Sequence, residues 1–431
     1  MKKVLVIGYF RPYFPFGSAR VPMLAKSLSK FGWHPIILTP FLKQPPADNR
    51  FQILQTPYPG DVFMFWRKFI GHFLTVKEKE SFTQTIKSKF NVKTKESFFD
   101  KLVTWYQEIF AYPSTEKKWF KAALATAENF LLTQKVDAII SVWPIESHLI
   151  AEKLKEKYMI PWIADFPDLW SGNSDYRFGK IRKWFDTRLE KKVIYSADKI
   201  ITVSPPLTKQ LTNLHHKPVS IILHGFDPEI INNPPATLTK SFTINYFGTL
   251  YAGKRDPKNL FIAIKELIKR GLIDPEKIEI NFYGPTQSWL QSEITSNNLV
   301  SIAHQRGPVS REESIKLQKE SQVLFFIGWG DKTYKDEGNF TGKIFEYFAA
   351  RRPILMIGGP ENELIKKLVE KTGAGISAIE VEAIKTVILK FYYDYKQTGS
   401  VCYDGDIKLV DEFSYEVSAK KIVGLLDELQ V

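Results

Sequence analysis

The stretch INNPPATLTKSFTINYFGTL, Ile231–Leu250, decides how this chain is divided. Asn232-Asn233-Pro234-Pro235 is a polar, proline-bearing break of the kind that joins domains. TINYFGTL (Thr243–Leu250) behind it reads as a buried strand, and a helical pattern follows over Pro257–Arg270. Upstream, the same alternation is already complete once. VLVIG (Val4–Gly8), PIILTP (Pro35–Pro40), DAIISV (Asp137–Val142), PWIADF (Pro161–Phe166), KIITVS (Lys199–Ser204) and SIILHG (Ser220–Gly225) are short apolar runs. Helix-length segments such as Val21–Phe31, Ser147–Tyr158 and Lys180–Ser196 separate several of them. Downstream come IEINFYG (Ile278–Gly284), QVLFFIG (Gln322–Gly328) and PILMIGG (Pro353–Gly359). Strand, helix and strand in series imply parallel strands with crossover helices. The expectation is two α/β domains, 1–232 and 240–408. The terminal segment 409–431 holds an amphipathic helix, Tyr415–Leu429, with Val417, Ile422, Leu425, Leu426 and Leu429 on its apolar face. It is read as packing back on the first domain.

Composition narrows the function. The chain has 431 residues, enough for sizeable cores, and a single cysteine, Cys402, which excludes a disulfide scaffold and a Cys-rich zinc site. Lys and Arg number 60 against 47 Asp and Glu, a net charge of +13 that suits an anionic partner: a nucleotide, a nucleic acid or an acidic lipid. No apolar run reaches the roughly 18 residues of a spanning helix, and the start MKKVLVIGYF lacks the long apolar core of a secretory signal. A cytoplasmic protein is expected. Residues 62–121 break the α/β rhythm with aromatic stripes, such as Phe63, Trp66, Phe69, Ile70 and Phe73, among 12 basic and 6 acidic residues. Such helices either lie on an anionic membrane surface or pack their apolar faces onto the first domain. No recognisable nucleic-acid module accompanies them.

Several stretches in this order carry a resemblance. They are FPFGSAR (Phe14–Arg20), IADFPDLW (Ile163–Trp170), KIITVS followed by LHGFD (Leu223–Asp227), FGTLYAGKRDP (Phe247–Pro257), NFYGP (Asn281–Pro285) and EGNFTGKIFEYFAARRPIL (Glu337–Leu355). Together they resemble the GT-B-fold glycosyltransferases of the retaining family 4 type over most of the chain, excepting 62–121. The resemblance implies an α/β protein of two Rossmann-like, doubly wound domains facing a central cleft. It implies a metal-independent enzyme of the hexosyltransferase type with no cofactor beyond its nucleotide-diphosphate-sugar donor. The sugar would pass to a hydroxyl of a glycan or lipid-linked glycan, in cell-surface polysaccharide or glycolipid synthesis, on the cytoplasmic face of a membrane. Two other readings stay open: a sugar-nucleotide epimerase on the same fold, and a non-catalytic membrane-surface adaptor.

The resemblance also distributes roles. Gly17 lets backbone amides approach the donor diphosphate, and Ser18 and Arg20 beside it meet the acceptor. Lys254 and Arg255 follow a strand in a glycine-bearing loop, where two cations can neutralise a leaving diphosphate. Thr249 stands where the family has an Arg, so Arg255 is the candidate second cation. Glu346 has the carboxylate that receives the two ribose hydroxyls. Gly338 replaces the usual upstream Glu, leaving Glu337 one residue out of phase; backbone around Asn339, Phe340 and Thr341 then meets the sugar, and Lys343 adds positive charge. Val309 lies in the base-reading loop, before a capping box formed by Ser310 and Glu313. His148 is placed near the transferred sugar, and Asp165 and Asp168 near the acceptor hydroxyl. The plainer readings are a local helix-start role for His148 and a turn or cap role for Asp168.

Overall fold

The computed structural model describes residues 1–10, 19–58, 108, 112–114, 116–173, 176, 178–232, 236–328, 338, 340–360 and 363–430. Two compact units divide the chain, Met1–His224 with Tyr415–Val431, and Gly225–Ser414. Most of the basic aromatic segment 62–121 lies outside the described residues, as do Gly17, Ser18, Glu337 and Asn339.

The first unit is built on a seven-stranded sheet. Its strands are β1 (Lys2–Ile7), β2 (Trp33–Pro40), β3 (Gln52–Thr56), β4 (Ala138–Val142), β5 (Trp162–Phe166), β6 (Lys199–Thr202) and β7 (Val219–Ile221), in the order 3-2-1-4-5-6-7. Every pairing is parallel. Among the described residues up to His224 the α-helices are α1 (Arg20–Leu28), α2 (Lys117–Leu131), α3 (Ile145–Tyr158), α4 (Lys180–Tyr195) and α5 (Pro205–His215). The unbroken apolar runs of the sequence have their cause here, because both faces of the sheet are covered. Leu5 and Ile7 of β1 enter one core with Ile139, Trp162 and Ile200, while Val4 and Val6 enter another with Ala138, Ile140 and Ile163.

The second unit has six parallel strands in the order 10-9-8-11-12-13. They are β8 (Phe242–Phe247), β9 (Ile278–Tyr283), β10 (Ala303–Gln305), β11 (Val323–Ile327), β12 (Ile354–Ile357) and β13 (Gly375–Ala378). With them run α6 (Glu229–Asn232), α7 (Lys258–Lys269), α8 (Ser288–Ser296), α9 (Arg311–Glu320), α10 (Gly342–Ala350), α11 (Leu364–Lys371), α12 (Val381–Thr398) and α13 (Ile407–Asp411). One face of β8 supplies Phe242, Ile244 and Tyr246 to the core. The alternate residues Thr243 and Asn245 join a buried polar layer, in which Asn281 donates to Asn245 at 3.0 Å and Asn245 to Ser321 at 2.8 Å. The last helix, α14 (Tyr415–Glu428), belongs to the first unit, and its Tyr415, Ala419, Ile422 and Leu426 pack with Val21, Leu24 and Leu28 of α1.

Strand order reverses between β1 and β4 in one unit and between β8 and β11 in the other. In open parallel sheets, ligands gather outside the carboxyl ends of the strands at such switch points.

Candidate functional site

In the second unit, the turn after β8 begins at Gly248, whose φ is +117°. It closes through Tyr251, whose carbonyl accepts from the Lys254 amide at 3.0 Å and the Arg255 amide at 2.8 Å. The turn separates its two cations. Lys254 is exposed, whereas Arg255 turns inward and is only 9% exposed. Beside Arg255 lies Lys343, on the first turn of α10, its ammonium 3.9 Å from the ring centroid of Tyr246. A Cβ on Gly248 would stand 2.9 Å from that ammonium, so the glycine makes room for it. Desolvation, then the nearby Arg255 charge, holds the Lys343 pKa well below its usual value, with Glu346 opposing. An anion placed beside these two basic groups would favour the charged form of Lys343, and a diphosphate is an anion of the right kind.

Glu346 lies one turn further along α10, half-buried, with its Oε1 3.1 Å from Arg311 Nη2 at the start of α9. Arg311 is thus a member of the site that local sequence did not disclose. Thr341 caps α10 by accepting from the Lys343 amide at 3.4 Å, and Phe340 packs against Phe345. Val309 is 37% exposed in the loop after β10, and Ser310 caps α9 by accepting from the Glu313 amide at 3.1 Å. Glu363, at the start of α11, is the second missed member. Its Oε2 is buried without a hydrogen-bond partner among the described residues, and its carboxylate occupies the space a Cβ on Gly328 or Gly359 would need. Burial pushes its carboxyl up to about 7, against the pull of Arg255 and Lys366. The glycine pair in PILMIGG was the available signal, since side-chain-free backbone lets a carboxylate approach this closely.

In the first unit, Arg20 and Asp165, both expected near the acceptor, are brought together. Both side chains are fully buried and bonded to each other, Nε to Oδ2 at 2.6 Å. The remaining guanidinium groups donate to the carbonyls of Leu223 and Ile222, each at 3.0 Å. A guanidinium held on three sides inside the unit joins α1, β5 and the segment after β7. Asp168 is half-buried and accepts from the Leu169 amide at 2.8 Å, a turn contact.

His148 sits in the first turn of α3, after the switch strand β4. Trp162 Nε1 donates to Ser141 Oγ at 2.7 Å, and Ser141 Oγ lies 2.7 Å from His148 Nδ1. An indole nitrogen only donates, so the arrangement that satisfies all three groups has Ser141 donating to Nδ1 and the ring proton on Nε2. Burial, then the charge of His215, pushes the imidazole pKa down to about 3, so the ring is neutral near pH 7. Its Nε2 is buried with no partner among the described residues, as are Ser147 Oγ and Glu146 Oε2 in the same helical turn. Three such atoms at a switch point mark a place for a polar ligand. Among the described residues no group of three or more His, Cys, Asp or Glu is placed to hold a metal.

Glu146 carries a pH signature. Burial first, then the charge of Glu116, pushes its carboxyl up to about 8 from 4.5. The folded state therefore holds a proton that the unfolded chain releases above about 4.5. This contribution to stability is complete below that pH and is lost as pH rises through about 8. Denaturation followed between pH 5 and 8 is expected to show stability falling with pH, and Glu146→Gln to flatten that slope. An identical slope in the variant would discard the assignment.

No protein-family model matches the sequence, and no curated protein matches it. Solved structures do. Sucrose-phosphate synthase from Thermosynechococcus elongatus matches with a TM-score of 0.59 at 14% identity, over 100% of this chain and 99% of that one. WaaG, a glycosyltransferase involved in lipopolysaccharide biosynthesis, matches with a TM-score of 0.51 at 10% identity, over 99% of this chain and 98% of that one. A mutant of S. aureus TarM, solved in complex with fondaparinux, alpha-GlcNAc-glycerol and UDP, matches with a TM-score of 0.52 at 10% identity, over 99% of this chain and 100% of that one. At these identities the likeness is one of fold: the two parallel-sheet units are the two Rossmann-like domains of the GT-B architecture.

Proposed function

We propose that the protein is a retaining, metal-independent glycosyltransferase that moves a sugar from a nucleotide-diphosphate donor to a hydroxyl of a glycan or lipid-linked glycan. The observation that carries the reading is the convergence of Arg255, Lys343 and Glu346 at the carboxyl ends of the second sheet. Lys343 and Arg255 take the diphosphate from within, and Lys254 reaches it from the turn. Glu346, steadied by Arg311, accepts the ribose hydroxyls. The loop that holds Val309 runs beside the base. From the first unit, neutral His148 offers an Nε2–H donor to a sugar hydroxyl, and Asp168 orients the acceptor. With retention, the bond from C1 to the phosphate oxygen breaks as the bond from C1 to the acceptor oxygen forms on the same face. The acceptor proton passes to the leaving phosphate.

Calorimetry with nucleoside diphosphates tests the site. Lys254→Ala and Glu346→Ala should each weaken binding roughly tenfold or more, the scale of a lost hydrogen bond to a charged group. Unchanged affinity in both variants would refute the assignment. Incubation of a nucleotide sugar without acceptor separates the epimerase reading, because only an epimerase would invert C2 of the donor.

A further inference from the structure

Two central strands of the second unit depart from the pattern of a sheet covered on both faces. β8 (FTINYF) and β9 (IEINFY) alternate, with Phe242, Ile244, Tyr246, Ile278, Ile280 and Phe282 in the core. The residues between them, Thr243, Asn245, Glu279, Asn281 and Tyr283, share the opposite face. A parallel sheet covered by apolar helices does not need polar side chains there, and such local departures concentrate at functional sites. Helix α9, whose Leu317 and Glu320 stand beside this face, gives it little apolar cover, since Gln318 is its one buried residue.

Between the polar face and α9 lies a cavity of about 260 Å³. Its floor is held by fixed bonds. Arg306 Nε donates to Asn281 Oδ1 at 2.7 Å, and Thr243 Oγ1 accepts from the Gln322 amide at 3.0 Å. Arg306 Nη2 also meets Glu279 Oε2 at 3.2 Å. Two half-buried residues of the lining keep bonding capacity in reserve: the Tyr283 hydroxyl and the Glu320 carboxylate have no hydrogen-bond or ion-pair partner among the described residues. The Tyr283 ring is fixed by stacking on Phe247, centroids 4.8 Å apart. Glu320 closes α9 roughly 13 Å along the helix from Arg311, the partner of Glu346, which sets that wall of the cavity apart from the candidate donor site.

We propose that this cavity is a second carbohydrate site, sized for one neutral sugar ring. The lining selects the class. Leu317 is its one aliphatic residue, which disfavours an apolar ligand. Lys240 and Arg306 balance Glu279 and Glu320, so the lining has no net charge with which to draw in a phosphate or a simple cation. A sugar hydroxyl both donates and accepts, so neighbouring hydroxyls of one ring can donate to Glu320 and exchange bonds with Tyr283 and Arg306. The volume is below the roughly 300 Å³ at which sites for drug-sized ligands begin, which suits a single ring and not a nucleotide. This site lies in the second unit alone and does not depend on the donor assignment.

Saturation-transfer NMR on the full chain with the methyl α-pyranosides of glucose, galactose and mannose is the test. At least one should receive saturation, with a dissociation constant on the order of 1 mM, the scale for so small a ligand. The signal should persist when a nucleoside diphosphate is added in excess. Glu320→Ala should weaken the glycoside about tenfold and Tyr283→Phe about threefold, the scales of a charged and a neutral hydrogen bond. Neither polar group bonds elsewhere among the described residues, so thermal midpoints and nucleoside-diphosphate binding should stay at wild-type values. That second readout keeps a failure here distinct from a failure of the donor site. No transfer to any of the three glycosides, loss of the signal on adding nucleoside diphosphate, undiminished binding in both variants, or transfer to free serine with none to a glycoside would each overturn the proposal.

Discussion

Asp165→Ala is expected to destabilise the first unit by about 3–5 kcal/mol, the cost of leaving a buried charge without its partner. At roughly 2–4 °C per kcal/mol for a unit of this size, its thermal midpoint should fall by about 6–20 °C. The reason lies in the asymmetry of buried ion pairs. Burial raises the Asp165 carboxyl more than Arg20 lowers it, so the pair adds little net stability while both members are present. Once Asp165 is gone, the fully buried Arg20 has lost the carboxylate that stood 2.6 Å from its Nε, while its bonds to the carbonyls of Ile222 and Leu223 stay. Replacing both, as Arg20→Met/Asp165→Leu, should recover much of the loss, though not the part due to those two carbonyls losing their donors. Differential scanning of the single and double variants reads this directly. A single variant within about 1 kcal/mol of wild type would mean that the pair does not hold α1 to β5.

Gly284→Ala should damage the second unit and its candidate donor site together. A Cβ there would lie 2.3 Å from the Gly248 carbonyl oxygen. Neither atom can rotate away, because both belong to backbone fixed by the sheet. The Gly248 amide donates to the Tyr283 carbonyl at 2.7 Å, and the Gly284 amide to the Gly307 carbonyl at 3.0 Å. The three loops after β8, β9 and β10 are thus laced to one another, and relief of the clash must move the turn that carries Lys254 and Arg255. Overpacking of this kind costs about 1–3 kcal/mol. A shift of about 1 Å in a positioned group can cost up to a hundredfold, so nucleoside-diphosphate binding should fall more than tenfold. Wild-type affinity in Gly284→Ala would show that the turn does not hold the diphosphate. Gly271→Ala is the control, with a left-handed φ of +69° but nothing within 4 Å of the added carbon, so its cost should be backbone strain without loss of ligand.

The sequence by itself settled what depends on local pattern. Runs such as VLVIG and KIITVS have to be buried strands, because a parallel sheet covered on both faces leaves no position that must be polar. The cap of α9 was legible as Ser310 and Glu313 three residues apart, the spacing at which a side chain reaches an orphan amide. Tertiary structure decided what depends on residues far apart in the chain. Arg20 and Asp165 are 145 positions apart and read as two polar residues near a ligand; strand order brings them together and seals them. The amphipathic pattern of Tyr415–Glu428 demands a core to cover, but only the topology selects the one beside α1. Arg311 and Glu363 join Lys343, which the sequence did point to, because the parallel sheet delivers all its carboxyl ends to one edge, and a linear pattern holds no record of which loops will meet there.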